Sequence, residues 1–232
     1  MNFKLNEKTL AVLKNFAQIN SQLCIESTKI EVVNSTYSVI GSYTFDEPLP
    51  ITKEIGIYDI NDLLAILSVY KQPTITENTK NIVISGDSSK TTIWTHVKDM
   101  MPKVLIQQKY TPTDIKERLD QMGCELEFVL PAEKFNVLMK LSSLLKAEWM
   151  FFETAEGKIR ITVGNALESS DNISEVLIDV DIKSNSLTGA MKCSMAELRL
   201  MPSDYSVKIS SKGMTHWTNA IGVEYFIGCT VI

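Results

Sequence analysis

The chain has 232 residues, 44% hydrophobic and 22% charged, an ordinary globular composition with enough apolar side chains for one large core or two smaller ones. Lys and Arg total 23 against 28 Asp and Glu, a net charge of −5, so the chain is not basic all over, although a single basic face stays open. No apolar run reaches the roughly 18 residues a membrane span needs, MNFKLNEKTL lacks the apolar segment of a signal peptide, and Cys24, Cys124, Cys193 and Cys229 stand far apart with no CxxC. A cytoplasmic chain with four reduced, mostly buried thiols, no metal, no cofactor and no membrane contact is therefore expected.

The first predicted element is a short strand at Phe3-Lys-Leu5. A helix follows: at 100° per residue Leu10, Leu13, Phe16 and Ala17 gather on one side, and Lys8, Lys14, Asn15 and Gln18 on the other, with Glu7 near the start where the dipole favours an acid. Strands are read around Ile25 and in TKIEVV (28–33). In EIGIYDINDLLAILSVY (54–70), Asp59 is a good N-cap and Asp62 completes a variant capping box. The helix this starts is apolar almost all round, apart from a small or polar strip at Asn61, Ala65, Ser68 and Gln72. NIVISGDSSKTTIWT (81–95) alternates about a turn cluster and reads as a hairpin. Residues 96–123 contain two prolines and no sustained period, which suggests a connector crossing the surface.

The second half repeats this order. Phe128-Val-Leu130 reads as a strand; in the next helix Phe135, Leu138, Leu141 and Leu145 face one way and Asn136, Lys140 and Ser143 the other, with Glu133 at the start. GKIRITV (157–163) is strand-like, KCSMAELRLM (192–201) reads as a second short helix with Ser194 and Glu197 as its caps and Pro202 as its stop, and residues 205–228 alternate as hairpins. A shift of 125 residues sets Phe3 over Phe128, Leu10 over Phe135, Leu13 over Leu138, Asn15 over Lys140 and Gln18 over Ser143. An α+β chain of two similar halves is expected, 1–110 and 124–232, each with two helices packed on antiparallel sheet, and with 111–123 as the end of the connector.

Catalytic signatures are missing: there is no GxGxxG, no Walker loop, no HExxH and no GxSxG. His96 and His216 are the only histidines, and two cannot complete a zinc site without suitably spaced carboxylates, so they receive no chemistry. Asp59, Asp62 and Glu197 could serve as acid–base groups, but capping accounts for them. Trp94, Trp217, Tyr43, Tyr225 and Phe226 could stack on single-stranded nucleic acid, although aromatics in alternating strands more often fill cores. Lysines on one helix usually mark a solvated face; their recurrence in both halves is what points to a polyanion.

LAVLKNFAQINS (10–21), IYDINDLLAILSV (57–69), TTIW (91–94) and MAELRLMPSDYSV (195–207) resemble, in the same order, segments of the DNA polymerase sliding clamps of T-even-type phages. The resemblance covers both halves; the residues after Trp94 and the connector depart from it. It implies a non-enzymatic, ring-forming clamp fold: a homotrimer in the infected host cell that encircles double-stranded DNA and tethers the replicative polymerase. Lys8, Lys14, Asn15, Gln18, Lys71, Lys140, Lys146 and Arg199 would face DNA phosphates. Ile93 and Trp94 would meet Ile159, Ile161 and Val163 of a neighbouring subunit. Val33, Tyr37, Val39, Val104, Leu105, Tyr225 and Phe226 would form a socket for the polymerase C-terminal tail, and an ATP-dependent clamp loader and late-transcription factors would be further partners. A double hot-dog enzyme of the thioesterase type is the alternative from another class, and a clamp-like adaptor without DNA is a third.

Overall fold

A computed structural model of the chain describes residues 2–86, 88–96, 117, 123–155, 158–166, 174–179, 187 and 189–232. The chain divides into two compact units, Met1–Lys109 and Tyr110–Ile232. Most of the 96–123 connector, including Val104 and Leu105, lies outside the described residues.

In the first unit the elements run β1 (Asn2–Phe3), α1 (Glu7–Ile19), β2 (Leu23–Ile25), β3 (Lys29–Val33), β4 (Val39–Thr44), β5 (Ile55–Ile57), α2 (Ile60–Val69), β6 (Thr74–Glu77), β7 (Asn81–Gly86) and β8 (Ser89–Trp94). Antiparallel pairing links them in the orders β1-β6-β7-β8 and β5-β2-β3-β4. Asn6 caps α1, its Oδ1 accepting the Thr9 N–H at 2.7 Å, and Asp59 caps α2, accepting from the Asn61 N–H at 2.9 Å. Val12, Leu13 and Phe16 of α1 and Ile60, Leu63 and Leu67 of α2 are buried. Gly41 in β4 makes room for α1, because a Cβ there would stand 2.9 Å from the Phe16 ring.

The second unit runs β9 (Leu126–Leu130), α3 (Ala132–Leu145), β10 (Trp149–Ala155), β11 (Lys158–Gly164), β12 (Ser174–Asp179), β13 (Met191–Ser194), β14 (Tyr205–Ser210), β15 (Met214–Asn219), β16 (Val223–Gly228) and β17 (Thr230–Val231). Its pairing orders are β9-β14-β15-β16 and β13-β10-β11-β12, with β17 added on β13. These are the two orders of the first unit, and α3 begins where the 125-residue shift puts the start of α1. The structure thus carries the repeat in its strand connectivity as well as in its sequence.

The core of the second unit is aromatic. Phe135 on α3 meets Tyr205 at 5.6 Å and Trp217 at 6.2 Å between ring centroids, and Phe152 on β10 meets Trp217 at 6.1 Å. Such tilted and edge-on contacts suit the ring quadrupoles. Burial pushes the Tyr205 and Tyr225 hydroxyls well above the usual tyrosine range, so both stay neutral; Tyr205 donates to the Met201 carbonyl and Tyr225 accepts the Met201 N–H. Pro131, at the start of α3, supplies no capping side chain; Asp204, just before β14, does so by accepting the Ala132 N–H at 2.7 Å.

Two expectations are corrected. Residues 195–197 form a turn rather than a second helix, because KCS belongs to β13 and Leu198 and Leu200 are already buried, leaving too little chain to nucleate a helix before Pro202. Cys193 and Cys229 are joined as a disulfide, which leaves Cys24 and Cys124 as the cysteines outside it. Trp217→Ala should cost about 3–5 kcal/mol through cavity formation at the centre of the aromatic cluster, measured by urea unfolding; a loss under about 1 kcal/mol would show that this cluster does not hold the unit together.

Candidate nucleic-acid interface

A helix packed on sheet keeps one stripe in solvent, and on α1 the stripe is Glu7, Ala11, Lys14 and Gln18. Lys14 and Gln18 are therefore exposed, as the sequence led us to expect. Asn15 is not: it is 7% exposed, turned inward beside Phe16, and is corrected from a phosphate contact to a buried polar residue. Lys8 also leaves the stripe. Its Nζ lies 2.8 and 2.9 Å from the two Asp46 carboxylate oxygens and 5.5 Å from the centre of the Tyr43 ring. The hydrogen bond to Asp46 raises the Lys8 pKa above its ordinary value, with the nearby Tyr43 adding to the effect. Lys8 keeps its charge but spends it on Asp46.

On α2 the exposed positions include Asn61, Ala65 and Ser68, as read from the sequence, and also Asp62 and Val69, with Lys71 and Gln72 exposed just beyond the Tyr70 cap. On α3 the exposed positions are Glu133, Asn136, Val137, Lys140, Ser143 and Leu144. Lys146 caps α3 in the left-handed conformation, at φ 51°, with its side chain in solvent. Arg199 is exposed after the 195–197 turn, and its Nε donates to the Ala196 carbonyl at 3.1 Å. The two units match in the exposure of Ala11 with Asn136 and of Gln18 with Ser143, but buried Asn15 corresponds to exposed Lys140. The polar face is therefore repeated with a change of phase.

Of the residues expected at a subunit joint, Trp94 is 67% exposed and Ile93 half-buried, both on β8, the end strand of its sheet. Ile159, Ile161 and Val163 are all 0% exposed. They lie on β11, an interior strand between β10 and β12, under α3, and are corrected to core residues. The end strand there is β12.

The expected socket is also revised. Val33, Val39, Tyr225 and Phe226 are buried. Val33 and Val39 close the base of a hairpin whose Asn34 Oδ1 accepts the Ser38 and Val39 N–H groups. Tyr225 packs against Tyr205, and Phe226 stacks flat on His216 with centroids 4.4 Å apart. Only Tyr37, at the hairpin tip with φ 59°, presents an exposed side chain among the described socket residues. Sequence reasoning missed Asp46 and Tyr70: Asp46 stands 38 residues from Lys8, and Tyr70 reads as an ordinary helix end.

Among the described residues no cluster of three His, Cys, Asp or Glu side chains could hold a metal ion, and no helix is long and apolar enough to cross a membrane.

A family model described as DNA polymerase processivity factor matches residues 4–107. Three phage proteins named Sliding clamp are similar along nearly the whole chain. That of Vibrio phage KVP40 is 24% identical over 97% of each chain. Those of Escherichia phage RB69 and Enterobacteria phage T4 are 27% and 26% identical, each over 90% of this chain and 88% of the other. Among solved structures, A. fulgidus PCNA bound to the C-terminal region of FEN-1 superposes with a TM-score of 0.70 at 12% identity, covering 100% of this chain and 98% of that one. The PCNA2–PCNA3 complex from Sulfolobus tokodaii gives 0.68 at 10% identity over 99% of each. The DNA polymerase III subunit beta of Pseudomonas aeruginosa gives 0.65 at 14% identity, covering 99% of this chain and 65% of that longer one. At these identities the structures speak for the fold, which is the clamp fold and not a double hot-dog. The relatives in sequence and the duplicated strand order point the same way: the chain is similar to the sliding clamps of T-even-type phages over nearly its whole length, and its first half matches the DNA polymerase processivity factors.

Proposed function

We propose that three copies of the chain close head to tail into a ring around duplex DNA, that Lys14, Gln18, Lys71, Lys140, Lys146 and Arg199 face the phosphates, and that the ring tethers the replicative polymerase. The observation that carries the reading is the sparse cationic face of α1 and α3: Lys14 and Lys140 are exposed and make no ion pair among the described residues, and the acids on those faces, Glu7 and Glu133, are confined to the first turns. Phosphate contacts of this kind carry no sequence information and exchange easily, which sliding requires. The polymerase tail, an ATP-dependent loader and late-transcription factors are proposed as clients in the host cell, meeting a socket that includes Tyr37. The function is that of a binding ring with no reaction of its own.

A loaded ring should stay on circular duplex and leave when the circle is cut; equal retention on both would indicate ordinary binding and overturn encirclement. Lys14→Gln with Lys140→Gln should flatten the dependence of log K on log salt by about one for each lysine lost from a phosphate contact, with thermal stability kept. Lys8→Gln should leave that slope nearly unchanged, because Asp46 already holds this charge.

For the joint we propose that β8 of one protomer pairs with β12 of the next. Both are end strands, and unlike edges pairing head to tail generate a closed ring. Trp94→Asp should shift the mass in solution from about three times 26.0 kDa toward a single chain while the circular-dichroism spectrum is kept; an unchanged mass at low micromolar concentration would remove Trp94 from the joint.

A further inference from the structure

β8 has β7 on one side and nothing described on the other, so something must hold it flat if it is to accept a neighbour's strand. Its inner face is thin: Thr91 and Ile93 stand opposite Ile84 and Ile82 of β7, and the next position along β7 is Gly86, which has no side chain. Tyr70 fills that gap. It is the C-cap of α2, with extended backbone, and its ring lies against Gly86 so closely that a Cβ there would stand 2.7 Å from Tyr70 Cδ1 and 3.1 Å from its Cβ. The hydroxyl reaches beyond Gly86 to β8 and shares a 2.8 Å hydrogen bond with Thr91 Oγ1. One side chain therefore ties the end of α2 to the terminal hairpin, immediately before Lys71.

We propose that Tyr70 is a positioning residue for ring closure: its ring on Gly86 and its hydroxyl on Thr91 hold β8 in the extended, flat form that a neighbouring protomer's strand pairs with. This rests on the reading of β8 as a joint strand. The cause is entropic, since an end strand that frays when free must be ordered at the moment of pairing, and that ordering is subtracted from the strength of the joint. Gly86 and Tyr70 act as a pair, because any larger residue at 86 displaces the ring.

The test compares Tyr70→Phe, which removes only the hydroxyl, Gly86→Ala, which pushes the ring away, and Tyr58→Phe, a control at the other end of α2 whose ring lies beside His96 and not β8. Subunit exchange between differently labelled rings should quicken by about fivefold for Tyr70→Phe, as loss of one partly buried hydrogen bond implies, and by more for Gly86→Ala, with the control unchanged. Hydrogen exchange at the β8 amides, measured on dilute single chains, should rise in the same order while that of β14 and β15 stays at the wild-type rate. Wild-type subunit exchange together with wild-type β8 protection in both variants would overturn the proposal. Should the wild-type chain prove monomeric at every concentration, the ring reading fails instead. Raised β8 exchange in the variants would then still establish Tyr70 as the strand's anchor, and unchanged exchange would remove that role too.

Discussion

Everything the chain can offer a charged partner along its helices passes through the narrow stripes left when those helices are packed on sheet. On α1 the demand of Val12, Leu13 and Phe16 for burial fixes the rotation of the helix, and the rotation decides that Lys14 reaches solvent while Asn15, one residue on, does not. The same rule on α3 sets Lys140 and Ser143 outward because Phe135 and Leu138 must go in. Core packing is worth several kcal/mol per large side chain and a surface charge a fraction of one, so the apolar residues set the phase and the lysines follow.

That order of magnitudes also accounts for how little charge the stripes hold. A clamp that gripped phosphates strongly would stop moving, and a clamp with no cations would be indifferent to its track. Alanine, serine, valine and leucine interrupt the lysines: Ala11 on α1, Ala65 and Ser68 on α2, Val137 and Leu144 on α3. The Lys8–Asp46 pair removes one further cation from play. In the ring proposed above, persistence on DNA would come from topology, with the weak contacts left to exchange from phosphate to phosphate.

Strong local periodicity was legible in the sequence. The inward and outward faces of α1 and α3, the Asp59 cap, much of the outward strip of α2 and the duplicated order of strands about the first helix of each half all follow from patterns within about fifteen residues, repeated once. What could not be read depended on alternation and on partners distant in the chain. Ile159, Ile161 and Val163 look like an exposed β-type face until β10 and β12 are known to flank them and α3 to cover them. Val33, Val39, Tyr225 and Phe226 have the composition of a socket and of a core alike, and only the fold distinguishes the two. The capping pattern at Ser194 and Glu197 marks a turn, closed by the Glu197 backbone N–H on the Ser194 carbonyl, and the six residues before Met201 leave room for no more. The Cys193–Cys229 pair, 36 residues apart, has no local signature at all.

The end strand β8 carries the last step. Natural sheets protect their edges with proline, inward charges, bulges or very short strands, and β8 uses almost none of these: six residues long, regular in its register with β7, it ends in Thr-Thr-Ile-Trp with only Lys90 as a charge. Trp94 in solvent at the end of such a strand is costly to leave exposed and profitable to cover. A free chain with this edge would be an aggregation hazard unless pairing were restricted to one complementary edge. In the joint proposed above, Tyr70 holding the strand flat and an unlike end strand at β12 would serve that restriction, since β8 would pair with β12 of a neighbour rather than with a second β8. Because the two proposed edges are unlike and pair head to tail, repeating the contact from protomer to protomer can close on itself as a ring.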